Sequence, residues 1–150
     1  MGKIGVLIVE DDPMVAEVNA GFVGAIPGFE VVGVARTGRE ALDLVVAQGP
    51  TLTLLDVYLP DIHGLEVLLE IRRHRLPTDV LLVTAAQDVE TIQNAFRYGA
   101  VDYIVKPFKF SRLKAALEGY ALLYHRLKSE KHLGQEEIDR LALSRTPLIN

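Results

Sequence analysis

Apolar positions fall into five short continuous runs, at 4–9, 31–35, 52–55, 80–83 and 103–105. They are continuous rather than alternating, the pattern of strands covered on both faces of a parallel sheet. The stretches between them have helical period. Asp12 is placed to cap a first helix with Pro13 at its first position, and Val15, Val18, Phe22 and Ile26 are expected on its buried face. Thr37-Gly38-Arg39-Glu40 is a capping box opening a second helix through Ala41, Leu42 and Val45. Leu65, Leu68, Leu69 and Ile71 mark a third. Asp88 caps a fourth, in which Val89, Ile92 and Phe96 are apolar and Gly99 follows the last turn. A fifth begins near Ser111.

Strand and helix alternating five times predict an α/β fold, a three-layer sandwich with right-handed crossovers. For five such units the flavodoxin-like parallel sheet of order 2-1-3-4-5 is the natural arrangement, and it makes strands 1 and 3 neighbours at the switch point. Residues 1–125 read as one domain, and 126–150 as a continuation of the fifth helix followed by linker. Within that helix Leu113, Leu117, Tyr120, Tyr124 and Leu127 recur in steps of four and three. This is either a helix-pairing seam or a core-facing stripe that runs on past the sheet. After Lys131 the pattern decays through Gly134, resumes weakly at Ile138 and Leu141, and ends at Pro147.

Four of the apolar runs end in residues that a buried strand does not need: Glu10-Asp11, Asp56, Thr84 and Lys106. In open α/β sheets these carboxyl-terminal strand tips border the ligand crevice. Carboxylates brought together repel unless a proton or cation lies between them. Hard oxygen ligands suit magnesium, which keeps waters and accepts phosphate oxygens. Asp56, alone at a strand end before a loop, is the candidate nucleophile, and its attack on phosphorus would give an acyl phosphate. Lys106 would stabilise the transferring charge, and Thr84 would donate its hydroxyl to a phosphate oxygen. Each residue also has a plainer reading: Asp12 as a cap only, Asp56 as a turn residue ahead of Pro60-Asp61 and Gly64, Lys106-Pro107 as a surface turn. Four coincidences at four strand tips favour one shared site.

Composition narrows the field. The 150 residues carry a net charge of -4, which argues against gripping nucleic acid by charge alone. There are no cysteines, so thiolate catalysis and Cys-based zinc sites are excluded. His63, His74, His125 and His132 are scattered without ligand spacing. No segment has the length of a membrane span and no signal peptide is evident, so a cytoplasmic protein without a membrane partner is expected.

The stretches Ile8-Val9-Glu10-Asp11-Asp12-Pro13, Leu54-Leu55-Asp56-Val57-Tyr58-Leu59-Pro60, Asp61-Ile62-His63-Gly64, Val83-Thr84-Ala85 and Asp102-Tyr103-Ile104-Val105-Lys106-Pro107-Phe108 resemble the receiver domain of two-component response regulators, from Lys3 to about Tyr124. The resemblance implies that Asp56 accepts a phosphoryl group from a sensor histidine kinase. It implies Mg2+ held by Asp11, Asp56 and the backbone carbonyl of Tyr58, with Glu10 acting through a metal-bound water. Thr84 and Tyr103 match the switch pair and Lys106 the phosphate-contacting lysine, the Lys106-Pro107 bond being typically cis. Such a domain modifies itself rather than turning over a substrate. Phosphorylation would draw Thr84 inward and let Tyr103 rotate from exposed to buried, changing the face of the fourth helix, fifth strand and fifth helix, with Glu90, Gln93, Asn94 and Arg97 exposed on it. A homodimer through the fifth helix or through that face is the expected assembly.

The wording from Asp56 to Arg72 and from Thr84 to Tyr120 is also similar to regulators of citrate and C4-dicarboxylate uptake, whose members carry a C-terminal helix-turn-helix domain. DNA would then be reached only through an output domain that this chain does not contain; a stand-alone receiver acting on other proteins is the alternative. An Asp-nucleophile phosphatase of the haloacid dehalogenase type would want a second Asp where Tyr58 stands. A flavodoxin-type FMN carrier would meet repulsion between its phosphate and Glu10-Asp11-Asp12.

Overall fold

The computed structural model describes residues 2–129, 134–136 and 138–140. Five strands and five helices alternate: β1 (Ile4–Val9), α1 (Pro13–Gly24), β2 (Phe29–Ala35), α2 (Gly38–Gln48), β3 (Leu52–Leu55), α3 (Gly64–Arg73), β4 (Asp79–Thr84), α4 (Val89–Arg97), β5 (Asp102–Val105) and α5 (Phe110–Ser129). Every pairing is parallel and the order is β2-β1-β3-β4-β5, as expected from the alternation. β2 starts two residues before its apolar run, because Phe29 and Glu30 pair with Ile4 and Gly5 of β1 whatever their polarity. Leu141 and Pro147, and with them most of the expected linker, lie outside the described residues.

The sheet separates two apolar layers. On one face Val6, Ile8, Leu54, Leu81, Val83 and Ile104 pack under α1 and α5. On the other Leu7, Val9, Leu55, Leu82 and Tyr103 pack under α2, α3 and α4. Consecutive strand residues go to opposite layers, which is why the runs had to be apolar throughout.

The caps form as expected. Asp12 Oδ1 accepts from Met14 N at 2.9 Å, Thr37 Oγ1 from Glu40 N at 3.1 Å, and Asp88 Oδ2 from Thr91 N at 3.0 Å. The expected face of α1 is corrected. The residues buried within the helix are Ala16, Asn19 and Val23; Val18 is 51% exposed, whereas Phe22 packs half-buried against the core and Ile26, just past the helix end, is buried in it. Small Ala16 lets the helix approach the sheet, while Met14, Val15, Val18 and Phe22 line a shallow apolar groove with Pro107 and Phe108. In α5 the stripe faces the core at Leu113, Leu117 and Tyr120 and runs off the sheet at Leu127, which is 49% exposed. Tyr124 stacks on Tyr120, whose hydroxyl donates to Asp79 Oδ2 at 2.6 Å.

Register places the strand tips. Val9 is level with Leu55 and Thr84 with Val105, so Glu10 and Asp56 leave the sheet side by side and Lys106 follows one residue beyond the level of Thr84, its amide donating to Thr84 O at 3.0 Å. The loop after Asp56 turns back sharply, with Gly64 N donating to Val57 O at 2.7 Å. A Cβ on Gly64 would lie 2.3 Å from Asp56 O and 2.6 Å from Val57 Cα. Gly64→Ala is expected to cost about 2 kcal/mol or more in urea unfolding, because backbone has to move to admit the methyl group. Gly21→Ala on α1, where a Cβ meets nothing within 4 Å, is the control and should be neutral or stabilising.

Candidate functional site

The residues singled out at the four strand tips converge on one rim. Glu10 is 3% exposed and Asp56 6%, with Asp11 exposed beside them. One carboxylate oxygen from each of Glu10, Asp11 and Asp56 lies within 4.8 Å of the others. Lys106 reaches across from the end of β5, donating to Glu10 Oε1 and, at 3.0 Å, to Asp56 Oδ2. Asp56 Oδ1 accepts from Tyr58 N at 3.1 Å, so both of its oxygens are held. The Lys106–Pro107 peptide bond is cis.

The electrostatics follow from burial and from the imbalance of charge. Burial raises the pKa of Glu10, and the nearby charge of Asp56 adds to this against hydrogen bonds from Lys106 and Asp12 N. For Lys106 burial acts to lower the pKa, but its hydrogen bonds to Glu10 and Asp56 and their charges outweigh it, so the ammonium is held charged above its ordinary range. One ammonium faces two buried carboxylates and a third at the surface, so the rim is net negative. Oxygen-only donors, three of them convergent and one open to water, fit a hard divalent cation of the magnesium kind.

Thr84 is fully buried at the end of β4, with its hydroxyl 3.4 Å from Ala86 N. Tyr103 lies on the same face of the sheet, in the layer under α2, α3 and α4. The expectation that Tyr103 starts exposed differs from the structure. It is 9% exposed, and its hydroxyl donates to Ala86 O at 2.6 Å, which holds the ring inward.

Some of the geometry had no signal in the sequence. His63, expected to be merely solvated, is the N-cap of α3, its Nδ1 accepting from Leu65 N at 3.2 Å. Asp61, expected as a turn residue, reaches the start of α2, and Arg36 reaches the carbonyl of Asp11. These contacts span 23 and 25 residues and depend on how the loops lie beside each other.

Comparison with known proteins identifies the family of the chain. Residues 6–118 match the family model of the response regulator receiver domain. The chain belongs to that family. It is 46% identical over 136 residues to a protein named probable C4-dicarboxylate response regulator DctR from Priestia megaterium, covering 91% of this chain and 60% of that one. It is 41% identical over 138 residues to the transcriptional regulatory protein CitT of Halalkalibacterium halodurans, again covering 91% and 60%. Among solved structures, a CheY-like response regulator receiver domain protein from Methanospirillum hungatei superposes with a TM-score of 0.74 at 27% identity, covering 87% of this chain and all of that one. This receiver domain therefore spans about 60% of the length of the curated relatives it matches. The family is one of regulatory domains, which leaves the phosphatase and FMN-carrier readings without support. No described helix is long and apolar enough to cross a membrane.

Burial pushes the Tyr103 hydroxyl up to about 12, with the charge of Asp88 adding to the effect. Its protonated form is therefore favoured by folding. That contribution is complete below pH 10, the ordinary tyrosine value, and is lost as pH rises from there through about 12. Guanidinium unfolding at pH 9 and at stepped values up to 12 should show the stability advantage of wild type over Tyr103→Phe shrinking across this window. A constant difference would mean that the hydroxyl is not held as described.

Proposed function

We propose that Asp56 is the phosphoacceptor of this receiver domain, and that a sensor histidine kinase supplies the phosphoryl group. The observation that supports this most directly is a buried carboxylate with one oxygen paired to Lys106, set among the carboxylates of Glu10 and Asp11. In the transfer an Asp56 oxygen forms the new bond to phosphorus while the bond to the donor histidine nitrogen breaks, the electron pair staying on that nitrogen. Asp11, Asp56 and the carbonyl of Tyr58 would hold Mg2+, with Glu10 acting through a water. The metal supplies charge neutralisation for the transferring group. Lys106 stays protonated and stabilises the phosphoryl oxygens, and the Thr84 hydroxyl donates to one of them.

Thr84 and Tyr103 are the switch pair of this reading. Because Tyr103 is held inward by the Ala86 carbonyl, phosphorylation on this reading reinforces that position through Thr84, two residues before Ala86. Such a switch needs states that differ by only a few kcal/mol, so that one phosphate can bias them. The surface affected is that of α4, β5 and α5, where Glu90, Gln93 and Arg97 are exposed and Asn94 is half-buried. A role in the response to C4-dicarboxylates and DNA contact through an output domain outside this chain are supported by the names of the relatives and of a solved neighbour; a homodimer through α5 or this face, a link to citrate and a cytoplasmic setting belong to the same proposal. On this reading the domain is a self-modifying regulator rather than an enzyme with turnover.

Intact mass after incubation with Mg2+ and a small phosphodonor should show one phosphoryl adduct, lost without Mg2+ and in Asp56→Asn. An adduct that persists in Asp56→Asn would move the acceptor elsewhere, and no adduct on wild type would end the proposal. Tyr58 is 56% exposed and two residues after Asp56, where it can hinder the approach of water to the acyl phosphate. Phosphate loss from Tyr58→Asn should therefore be faster than from wild type when timed by the same measurement, and an equal lifetime would remove this role.

A further inference from the structure

The two loops that carry the proposed metal ligands, the one after β1 and the one after β3, are both tied to a third that carries none. That third loop is the β2–α2 corner. Arg36 Nε donates to Asp11 O at 3.0 Å, and Arg36 N donates to Glu40 Oε1 at 3.2 Å in the first turn of α2. From the other side Asp61 lays its carboxylate across the same helix start. Its Oδ1 accepts from Gly38 N at 2.7 Å and its Oδ2 from Arg39 N at 3.0 Å. With Glu40 N taken by Thr37 Oγ1, the first three amides of α2 are all satisfied, two of them from a loop 22 and 23 residues away.

The contact is closely packed. A Cβ on Gly38 would lie 2.9 Å from Val67 Cγ2 and 3.1 Å from Ile62 Cβ, so the helix start rests directly on the β3–α3 segment. The hydrogen bond from Gly38 N holds Asp61 ionised below its ordinary range, as a carboxylate at a helix N-terminus should be. Between Asp56 and Asp61 runs the backbone that presents the Tyr58 carbonyl. Closure at Gly64 fixes the base of this loop, and Asp61 fixes its outer part.

We propose that Asp61, acting through the start of α2 and Arg36, is a positioning residue that sets the spacing between the Asp11 loop and the Tyr58 loop and so prepares them for a divalent cation. The proposal rests on the metal reading given above. Its competitor is that Asp61 merely caps α2. Thr37 separates the two, because it caps the same helix end and neither of its loop neighbours is a proposed ligand.

The full chain is titrated with Mg2+ and followed by backbone amide NMR shifts, with melting in magnesium-free buffer measured alongside. Asp61→Ala should raise the half-saturating Mg2+ concentration roughly fivefold, somewhat below what partners in direct contact with metal ligands give. Asp61→Asn, which keeps one acceptor for Gly38 N, should raise it less. Arg36→Ala should raise it too, and the double variant by less than the product of the two, because both cut one clamp. Thr37→Ala should lower the melting temperature with the half-saturation unmoved. At saturating Mg2+ the phosphorylation rate of Asp61→Ala should return close to that of wild type. If Asp61→Ala behaves like Thr37→Ala, the clamp is only a cap; if the double variant gives the full product, the loops are independent. Either result overturns the positioning role and leaves the proposed function standing. A wild-type chain without Mg2+-dependent shifts would overturn both.

Discussion

Glu10 and Asp56 are carboxylates buried side by side, and a buried charge is tolerated only when it is paired and hydrogen-bonded. Lys106 meets that requirement for both at once, from a strand end 50 residues beyond Asp56 and 96 beyond Glu10. β1 and β3 must be neighbours for the acids to meet, and β5 must lie two strands further on for the lysine to reach back over β4. The strand order and the register both bear on this one cluster. It stays net negative, because one ammonium cannot balance three carboxylates. Such a cluster of oxygen donors fits a hard divalent cation, and on the proposed function it also receives a phosphoryl group.

The sheet separates chemistry from response. In β1, β3, β4 and β5 alternate positions enter different apolar layers, and by that alternation Thr84 faces the layer that holds Tyr103. Ala86 links the two, its amide facing Thr84 and its carbonyl holding Tyr103, which is the route the proposed switch would use. The opposite layer, under α1 and α5, is closed by Leu113, Leu117 and Tyr120 and gives α5 a fixed base from which to run past the sheet.

The loops at the rim are held by polar contacts rather than by apolar packing. Asp12, Thr37, His63 and Asp88 each satisfy helix-start amides, and Asp61 and Arg36 join loops that are remote in sequence. Among the described residues no buried side-chain polar atom lacks a partner. The crevice thus keeps its backbone in place with polar side chains, and its floor remains the apolar ends of the strands.

Much of this molecule was legible in the chain itself. Continuous apolar runs identify buried parallel strands because the period of a strand is a local property, and Asp12, Thr37 and Asp88 identify helix starts because a cap reaches only two or three residues. The acids, Thr84 and Lys106 stood out because polar residues at the ends of apolar strands need a reason. Tertiary structure decided what local pattern cannot carry. Val18 has the right period for the core of α1 but faces a groove, since the approach of that helix is set by the small Ala16 and by α5. Tyr103 is inward because of a carbonyl on another loop. Asp61 reads as a turn residue until the start of α2, 23 residues back, is brought beside it. Spacing along the chain determines which residues form an element; which elements meet, and at what distance, depends on packing that no single segment contains.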